Sequence, residues 1–493
     1  MTDTFDSGAA ANLDIVHTDT FDTSAPATEI ATVAPAEAVE NGFEKLGLAR
    51  ELLAAVADLG FTQPTKVQEK CIGLAMRQDA AAGAESAATY NDLMVSSQTG
   101  SGKTAAFLLP VLHTLLAQQA AKPAASGPRR NPMNPRQFQA ATPGALILCP
   151  TRELAQQVAH DAIELVKHCR GLRIASVVGG MPYQMQLQRL QNADLVVATP
   201  GRLLDLQRSM QIKLDRVQFL VVDEADRMLD LGFAEDLAEV HQLTGQRGQT
   251  MMFSATFAPR IQQLAQRVMR NPQRVQIDSP QEKHANIQQV LFWADNAHHK
   301  RQLLDHWLRD TNIDQAIVFA STKVECDGLA NDLQQSGFAA VSLHGDLPQG
   351  LRNRRLMALR QGQVQFLVAT DVAARGIDVP TITHVFNFGL PMKAEDYTHR
   401  IGRTGRAGRD GLAVTFAEIR DRRKIGDIEA YNRQPMKAET IPGLEPKARP
   451  APARREFAGK PGGRPQHRRD GQGFGKHPGF GGKPAKRSNA GFR

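Results

Sequence analysis

A loop rich in glycine and serine, SSQTGSGKT at residues 96–104, follows a short apolar run and precedes an apolar helical pattern. Backbone N–H groups of such a loop can close on phosphates, and the helix that begins there directs its positive end at them. Lys103 suits a β- or γ-phosphate, and the Thr104 hydroxyl suits a magnesium ion. The common phosphate-loop pattern has glycine where this chain has Ser97, so a simple Ser/Gly turn with an exposed lysine stays open as the alternative.

A second polar cluster, the sequence DEAD, comes directly after the four apolar residues 219–222. A buried strand would deliver Asp223 and Glu224 to its carboxyl end, the edge at which open α/β sheets bind ligands. Neighbouring carboxylates repel one another unless a cation lies between them, so Asp223 suits magnesium, and Glu224 can take a proton from an attacking water. A solvated acidic turn that caps a helix is the alternative.

The elements that would position these loops follow from the pattern along the chain. Over residues 43–277, short apolar runs such as GALILCP and DLVVATP alternate with helical periods. The alternation is interrupted over residues 278–287 and restarts over residues 288–440. Alternating strands and crossover helices are typical of parallel sheets. We therefore expect two α/β domains, each a mostly parallel sheet flanked by helices, joined by a short linker.

Both ends of the chain differ from this pattern. Residues 1–42 contain eight acidic residues and no Lys or Arg, which predicts a disordered acidic segment. Residues 441–493 are rich in Gly, Arg and Lys and predict a disordered basic tail. Such a tail attracts nucleic-acid phosphates without reading sequence, and Phe474 and Phe480 offer stacking faces. A merely solubilising tail stays open as the alternative.

Composition narrows the class of protein further. The N-terminal sequence MTDTFDSG lacks the basic and apolar regions of a secretory signal, and no apolar run approaches the roughly 20 residues of a membrane span. The four cysteines form no C-x-x-C pair, which is typical of reduced thiols. We expect a cytoplasmic protein that does not interact with a membrane.

Further segments join DEAD in a recognisable order: PTRELA, TPGR, SAT, ARGID and HRIGRTGR. In this set and order the chain resembles the DEAD-box ATP-dependent RNA helicases over residues 43–435. The resemblance implies two tandem RecA-like domains that bind ATP, Mg²⁺ and RNA. Phosphate loops of that family lack the leading glycine, which implies a complete ATP site formed by Ser97, Gln98, Thr99, Gly100, Ser101, Gly102, Lys103 and Thr104.

The resemblance also implies how the base and ribose of ATP are held. The segment GFTQPTKVQ at residues 60–68 is similar to the family's Q motif, in which Gln68 would read the adenine edge through its amide. Phe43 stands at the distance upstream where the family has an aromatic residue, which implies stacking on the base. A core phenylalanine is the alternative for Phe43. Asp378 of the ARGID segment would hold the ribose.

Roles in the second domain and at the RNA are implied in the same way. Arg403 and Arg406 of HRIGRTGR would neutralise charge on the γ-phosphate, with attachment to carboxylates of their own domain as the alternative. Contacts that couple the ATP site to RNA would come from Asp226, Ser254, Thr256 and His399. The RNA contacts, which position a strand without reading its sequence, would come from Thr151, Arg152, Gly179, Gly180, Thr199, Arg202, Arg352, Thr370 and Arg375.

The expected function is ATP-dependent local unwinding of short RNA duplexes, or remodelling of RNA–protein complexes. No pattern of a folded RNA-binding module follows residue 445, and the basic glycine-rich tail favours the bacterial RhlE-like branch. An ATP-dependent RNA clamp with slow turnover uses the same motifs and stays open. A DNA helicase or translocase is a third reading, against which the Q motif and HRIGRTGR argue.

Overall fold

The chain divides into two units, residues 1–448 and 449–493. The computed structural model describes residues 41–76, 91–97, 101–121, 139–277, 286–374, 377, 379, 381–406 and 409–447, all in the first unit. Most of both predicted tails lies outside the described residues. So do the following expected contact residues: Gln98, Thr99, Gly100, Arg375, Asp378, Phe474 and Phe480.

The first domain is built on a seven-stranded sheet in the order β3-β4-β2-β5-β6-β1-β7, with every neighbouring pair parallel. Its strands are β1 Leu93–Ser96, β2 Ala145–Leu148, β3 Ile174–Val177, β4 Leu195–Ala198, β5 Phe219–Val222, β6 Gln249–Ser254 and β7 Gln273–Gln276. Within the described residues, a 3₁₀ helix, Gly42–Leu46, precedes nine α-helices: α1 Arg50–Asp58, α2 Lys66–Ala75, α3 Lys103–Ala121, α4 Arg152–Leu165, α5 Tyr183–Leu190, α6 Pro200–Arg208, α7 Ala225–Asp230, α8 Ala234–Leu243 and α9 Pro259–Val268.

The second domain repeats the plan with the order β10-β11-β9-β12-β13-β8-β14, again parallel throughout. Its strands are β8 Ile287–Ala294, β9 Gln315–Phe319, β10 Ala340–Leu343, β11 Phe366–Ala369, β12 Ile382–Asn387, β13 Gly411–Glu418 and β14 Lys437–Glu439. Its α-helices are α10 Ala297–Trp307, α11 Lys323–Gln335, α12 Gln349–Arg360, α13 Asp371–Ala374, α14 Ala394–Ile401 and α15 Arg422–Asn432. The predicted fold class is confirmed.

Both faces of each sheet are buried, which explains the continuous apolar runs in the sequence. In β2, Ile147 packs into one hydrophobic cluster and its neighbour Leu148 into another on the opposite face. In β11, Phe366 and Leu367 divide between two clusters in the same way. Successive side chains of a strand point to opposite faces, so only a strand covered on both sides is apolar at every position.

Helix α3 departs from one expectation. Among the described residues it is the single helix long and apolar enough to cross a membrane, with a mean hydropathy of 1.2, although no such run was expected. Its side chains from Ala105 to Leu109 are buried in the core of the first domain beside β1 and β6. The apolar length therefore reflects a helix packed into the core of the domain.

The predicted start of the basic tail at residue 441 is too early. Ile441 is buried in the core of the second domain, and Leu444 packs against the same cluster. The carbonyl oxygen of Leu444 lies 3.0 Å from His299 Nε2, and the backbone N–H of Lys447 donates to Asp295. These contacts extend the second domain to residue 447.

Candidate functional site

Three neighbouring strands bring the expected ATP-site loops to one edge of the first sheet. β6 lies between β1 and β5, with Ser96 opposite Ser254 and Val222 opposite Met252. All three strands run in the same direction, so their carboxyl ends lie side by side. The loop that leads to Lys103, the DEAD segment and the SAT segment therefore meet at this edge.

The described part of the phosphate loop is closed on itself. Lys103 Nζ donates to the backbone oxygen of Ser97 at 2.8 Å, and the hydroxyls of Ser97 and Ser101 hydrogen-bond each other. Gly102 has a φ of +89°, and a Cβ there would lie 2.5 Å from the side-chain amide of Gln68. Glycine is needed at this position both for its backbone conformation and for this close approach.

The Gln68 amide ties helix α2 to the phosphate loop. Its Oε1 accepts from the backbone N–H of Thr65 at 2.9 Å, and its Nε2 donates to the backbone oxygen of Gly102 at 3.2 Å. One amide hydrogen and one lone pair are not used by these two bonds, which is what a purine edge requires. The structure thus places Gln68 beside the loop, as a base-reading residue requires.

Phe43 is placed differently from its expected role. Its side chain has no exposed surface and packs in the core of the first domain with Leu52 and Ile72. A fully enclosed ring presents no face to a base, so the core interpretation of Phe43 is the one that fits. Phe61, seven residues before Gln68 and within the Q-like segment, is 42% exposed and was given no role in the sequence analysis.

Asp223 is buried at the carboxyl end of β5, and only 4% of its surface is exposed. Burial, reinforced by the negative charge of Glu224 and opposed by Lys103, raises the pKa of the Asp223 carboxyl to about 7. The next residue, Glu224, has a φ of +49°, a left-handed conformation that is strained for this side chain, and its N–H donates to Asp223 at 2.9 Å. A carboxylate held in this way favours a bound cation.

Two hydrogen bonds at the SAT segment involve the expected coupling residues of the first domain. Asp226 accepts from the backbone N–H of Ala255 at 3.2 Å, which joins the DEAD segment to the SAT segment. Ser254 Oγ accepts from the N–H of Thr256 at 3.4 Å, as a hydroxyl that satisfies a backbone group would. Within the described residues, Thr256 Oγ1 is buried and has no hydrogen-bond partner. The structure therefore brings all three expected residues to the edge of β6.

The two expected arginines of the second domain converge on one atom. Arg403 and Arg406 each donate from Nη1 to the backbone oxygen of Ile377, at 3.0 Å and 3.2 Å. Arg403 Nε also donates to the carbonyl of His399, at the end of α14. These bonds to backbone carbonyls hold both guanidinium groups beside the ARGID segment.

Arg400, the first arginine of HRIGRTGR, is a residue that the sequence analysis did not assign. Its Nε and Nη2 donate to the two carboxylate oxygens of Asp371 at 2.6 Å and 2.8 Å, and its Nη1 donates to Asn387 and Gly389. The guanidinium also lies 4.7 Å from the centroid of the Phe319 ring. A fully buried arginine with this many partners orients α14 and the arginines that follow it.

A cavity of about 570 Å³ brings together expected RNA-contact residues from both domains. Pro150, Glu153, Gly201 and Asp205 contribute to its wall, and apolar residues that the sequence analysis missed, Leu231, Phe233 and Val372, complete it with Gly345. Gly180 and Thr370 are not among the lining residues, although each lies close in sequence to one that is. The expected RNA-contact residues that line the cavity are Thr151, Arg152, Gly179, Thr199, Arg202 and Arg352.

Two glycines leave room for Arg152 at the wall of this cavity. A Cβ on Gly179 would lie 3.1 Å from the Arg152 guanidinium, and one on Gly180, whose φ is +76°, would lie 2.4 Å from it. Arg152 Nη1 then donates to Gln349 of the second domain at 3.2 Å. The two domains meet here through side chains that were expected to contact RNA.

The remaining cations of the cavity are held by acidic neighbours. Arg352 Nη2 lies 2.9 Å from Glu153 across the two domains, with both side chains buried. Arg202 pairs with Asp205 at 3.4 Å, and within the described residues its Nη1 is buried without a hydrogen-bond partner. An unsatisfied buried donor that lines a cavity favours a ligand with acceptor oxygens, such as phosphate.

Fold and site together define a class of protein: a two-domain RecA-like ATPase with a cavity lined by both domains. Residues 65–264 match the family model described as DEAD/DEAH box helicase, and residues 299–408 match that described as helicase conserved C-terminal domain. The chain is 40% identical over 416 residues to the ATP-dependent RNA helicase SrmB of Escherichia coli (strain K12), covering 84% of this chain and 87% of that protein. The chain belongs to the DEAD-box family of ATP-dependent RNA helicases.

Other relatives agree with this assignment. Identity to the ATP-dependent RNA helicase RhlB of Pseudomonas syringae pv. tomato is 38% over 404 residues, covering 81% of this chain and 95% of that protein. A solved structure of S. cerevisiae Dbp5 bound to RNA and ADP BeF3 is similar with a TM-score of 0.69 and 31% identity, covering 81% of this chain and 95% of that one. DEAD-box helicase Mss116 bound to ssRNA and UDP-BeF is similar with a TM-score of 0.68 and 27% identity, covering 82% of this chain and 80% of that one. The narrower RhlE-like assignment stays a prediction.

Proposed function

We propose that this protein hydrolyses ATP to unwind short RNA duplexes locally or to remodel RNA–protein complexes. ATP and single-stranded RNA bind across the two RecA-like domains, and the domains separate again after hydrolysis. The observation that carries the proposal is the cavity of about 570 Å³ to which Arg152 and Arg202 contribute from one domain and Arg352 from the other. Its cations, glycines and hydroxyls suit a sugar–phosphate strand and carry no means of reading base sequence.

ATP is bound mainly by the first domain. Gln68 reads the adenine edge, and Phe61, the exposed aromatic of the same segment, takes the stacking role first expected of Phe43. Lys103 leaves the Ser97 carbonyl for the β- and γ-phosphates when nucleotide binds. The ribose is held by Asp378. These assignments agree with the hydrogen bond between Gln68 and the phosphate loop. The base and the phosphates belong to one ATP molecule, so the residues that bind them must lie near each other.

Mg²⁺ fits the oxygen donors present. Asp223 and the Thr104 hydroxyl would hold the ion together with phosphate oxygens and water, the coordination that Mg²⁺ prefers in proteins. When bound, the ion offsets phosphate charge. A cation beside Asp223 would also stabilise the ionised carboxylate that burial disfavours.

Hydrolysis uses groups from both domains. Glu224, which follows Asp223 in a left-handed backbone conformation, takes a proton from the attacking water. Arg403 and Arg406 exchange their bonds to Ile377 for the γ-phosphate as charge develops there. Asp226, Ser254, Thr256 and His399 transmit the state of the ATP site to the RNA cavity. Thr151, Gly179, Gly180, Thr199, Thr370 and Arg375 complete the RNA contacts.

The test is steady-state ATP hydrolysis without nucleic acid, with single-stranded RNA and with DNA of matched sequence. The Glu224→Gln variant is the blank, because it preserves the side-chain shape and removes the base. We expect stimulation by RNA alone, abolished in the variant. Equal stimulation by DNA would contradict the proposal and favour a DNA helicase. ATP and RNA binding without any stimulation would contradict the turnover step and leave an RNA clamp.

The proposal includes the setting of the enzyme. We place it in the cytoplasm, and we assign residues 43–277 to the ATP-binding domain and 287–447 to the C-terminal RecA-like domain, with 278–286 as linker, one residue shorter than expected because β8 begins at Ile287. The basic residues after 447 would add salt-sensitive, sequence-independent affinity for RNA. Removal of residues 449–493 should weaken RNA binding and leave RNA-stimulated kcat unchanged at saturating RNA.

A further inference from the structure

Four charged side chains that do not line the RNA cavity form an ion cluster: Asp230 and Arg260 of the first domain, and Lys393 and Glu395 of the second. Arg260 Nη1 lies 2.6 Å from Asp230 Oδ1, and Arg260 Nη2 lies 2.9 Å from Glu395 Oε2. Lys393 Nζ lies 2.6 Å from the same Asp230 oxygen. Two of these three contacts cross from one domain to the other.

The cluster joins elements that carry the hydrolytic groups. Asp230 is the last residue of α7, which begins directly after Glu224. Lys393 and Glu395 stand at the start of α14, the helix that leads to Arg403 and Arg406. The ion cluster therefore links the helix that follows the catalytic carboxylates to the helix that precedes the arginines of the other domain.

Electrostatics favour this arrangement over loose surface pairing. Asp230 is only 9% exposed. Burial tends to raise its pKa, yet hydrogen bonds from Lys393 and Arg260 hold the pKa of Asp230 below its usual value. Arg227 lies 3.9 Å from the other oxygen of Asp230 as a further positive neighbour. Asp230 alone bonds to cations from both domains, so separating the domains would leave it with fewer partners.

We propose that the ion cluster Asp230–Arg260–Lys393–Glu395 positions the two domains in the closed state, and so sets Arg403 and Arg406, which follow α14, against Glu224. It acts as a set of positioning residues, because none of its members lines the RNA cavity. The inference rests on the proposed function, in which ATP and RNA binding close the cleft. Its chemical consequence is that ATP-dependent RNA affinity includes a salt-sensitive contribution made entirely between protein side chains.

The experiment measures binding of fluorescein-labelled single-stranded RNA to the full-length protein, with a non-hydrolysable ATP analogue and without nucleotide. Arg260→Gln and Lys393→Gln should each weaken RNA binding about fivefold in the presence of the analogue, since exposed-to-half-buried ion pairs contribute modestly. Binding without nucleotide should be unchanged. The difference from wild type should shrink between about 50 mM and about 500 mM salt, where screening shortens the range of charge interactions.

Arg267→Gln is the matched control. Arg267 lies on the same helix α9 and pairs with Glu235 at 3.4 Å within the first domain, so its loss should not change RNA binding. The double variant Arg260→Gln/Glu395→Gln should bind RNA no more weakly than Arg260→Gln alone, because the two residues share one contact. If Arg260→Gln fails to fold, Lys393→Gln, which alters a half-exposed side chain, carries the same comparison.

Different results would overturn different claims. If wild type binds RNA in an analogue-dependent way and Arg260→Gln and Lys393→Gln match it, the positioning role is wrong while the proposed function stands. Equal weakening by Arg267→Gln, additive losses in the double variant, or equal weakening without nucleotide would also overturn the positioning role. If wild type itself shows no analogue-dependent RNA binding, the proposed function fails and this inference fails with it.

Discussion

Two buried charged residues, one in each domain, have opposite surroundings. Arg400 of the second domain is enclosed and fully bonded, with both carboxylate oxygens of Asp371, Asn387 and the Phe319 ring around its guanidinium. Asp223 of the first domain is equally enclosed, yet it accepts one backbone hydrogen bond, and burial raises its pKa to about 7. The Arg400 guanidinium is paired and hydrogen-bonded within its own domain, whereas the Asp223 carboxylate lacks a comparable set of partners among the described residues.

This difference distinguishes a charged residue that stabilises the fold from one that is arranged to bind a ligand. A buried charge with a complete set of partners stabilises the local structure, whereas one held without them lowers stability until a ligand of opposite charge arrives. By this criterion Arg400 positions the motif that it begins, and Asp223 is arranged for a cation. Of the four variants below, those of Asp223 and Arg400 test the criterion directly, and those of Arg406 and Phe61 extend the comparison to other residues assigned to the ATP site.

Arg406→Gln should lower RNA-stimulated kcat by about 10³-fold or more, because an arginine that neutralises the γ-phosphoryl contributes on that scale. Its stability should fall by about 1 kcal/mol, the scale of a hydrogen bond, since Arg406 is half-buried and donates to the backbone carbonyls of Gly402 and Ile377. Steady-state kinetics and chemical denaturation check the two claims. Arg409→Gln, an exposed neighbour, is the control, and comparable loss of kcat in that variant would argue against a specific role.

Asp223→Asn should abolish turnover and stabilise the nucleotide-free protein. The folded pKa of about 7 is raised above the unfolded value of about 3.9, so this group's stabilising contribution is full below about pH 4 and is lost as the pH rises to about 7. At about pH 8 and without Mg²⁺, the variant should gain up to about 4 kcal/mol, from about three pKa units.

Thermal unfolding of wild type and Asp223→Asn from about pH 4 to about pH 8 measures this gain. Asp215→Asn, at an exposed position, should show no such trend. If Asp223→Asn is less stable than wild type at about pH 8, the ionised Asp223 carboxylate has stabilising partners within the protein.

Arg400→Met should destabilise the protein by about 3 kcal/mol, because it leaves the Asp371 carboxylate without its two hydrogen bonds. Arg400→Lys should recover only part of this loss, since an ammonium cannot make the paired contact. Urea unfolding measures both. If Arg400→Met is as stable as wild type but no longer hydrolyses ATP, Arg400 acts in ATP hydrolysis and not in stabilising the fold.

Phe61→Ala should raise KM for ATP about fivefold, the scale of one lost stacking contact of about 1 kcal/mol, and leave kcat and stability nearly unchanged. Phe43→Ala provides the contrast, because removing a ring from the core costs about 3–5 kcal/mol of stability. ATP titration and unfolding on both variants separate the roles. If Phe43→Ala raises the KM for ATP and leaves stability unchanged, Phe43 and not Phe61 stacks on the base.

Much of the architecture could be predicted from the chain. The apolar runs bounded by turns correctly indicated two parallel α/β domains, because strands covered on both faces must be apolar throughout. The order of motifs placed Lys103 and Asp223 at the carboxyl edge of one sheet, as parallel strands require. Local patterns were less informative for α3, whose composition alone does not distinguish a core helix from a membrane span.

Sequence by itself determined the type of fold, the loops that meet at its edges and the family, because strand periodicity and motif order are local along the chain. Only the tertiary structure decided which phenylalanine is enclosed, which arginine is satisfied and which charges face the other domain. Those outcomes depend on neighbours far apart in the sequence: Asp230 and Lys393 are 163 positions apart, yet their charged atoms lie 2.6 Å from each other. The energy of a charged group depends on its burial and on its hydrogen-bond and ion-pair partners, and both are established only when the chain folds.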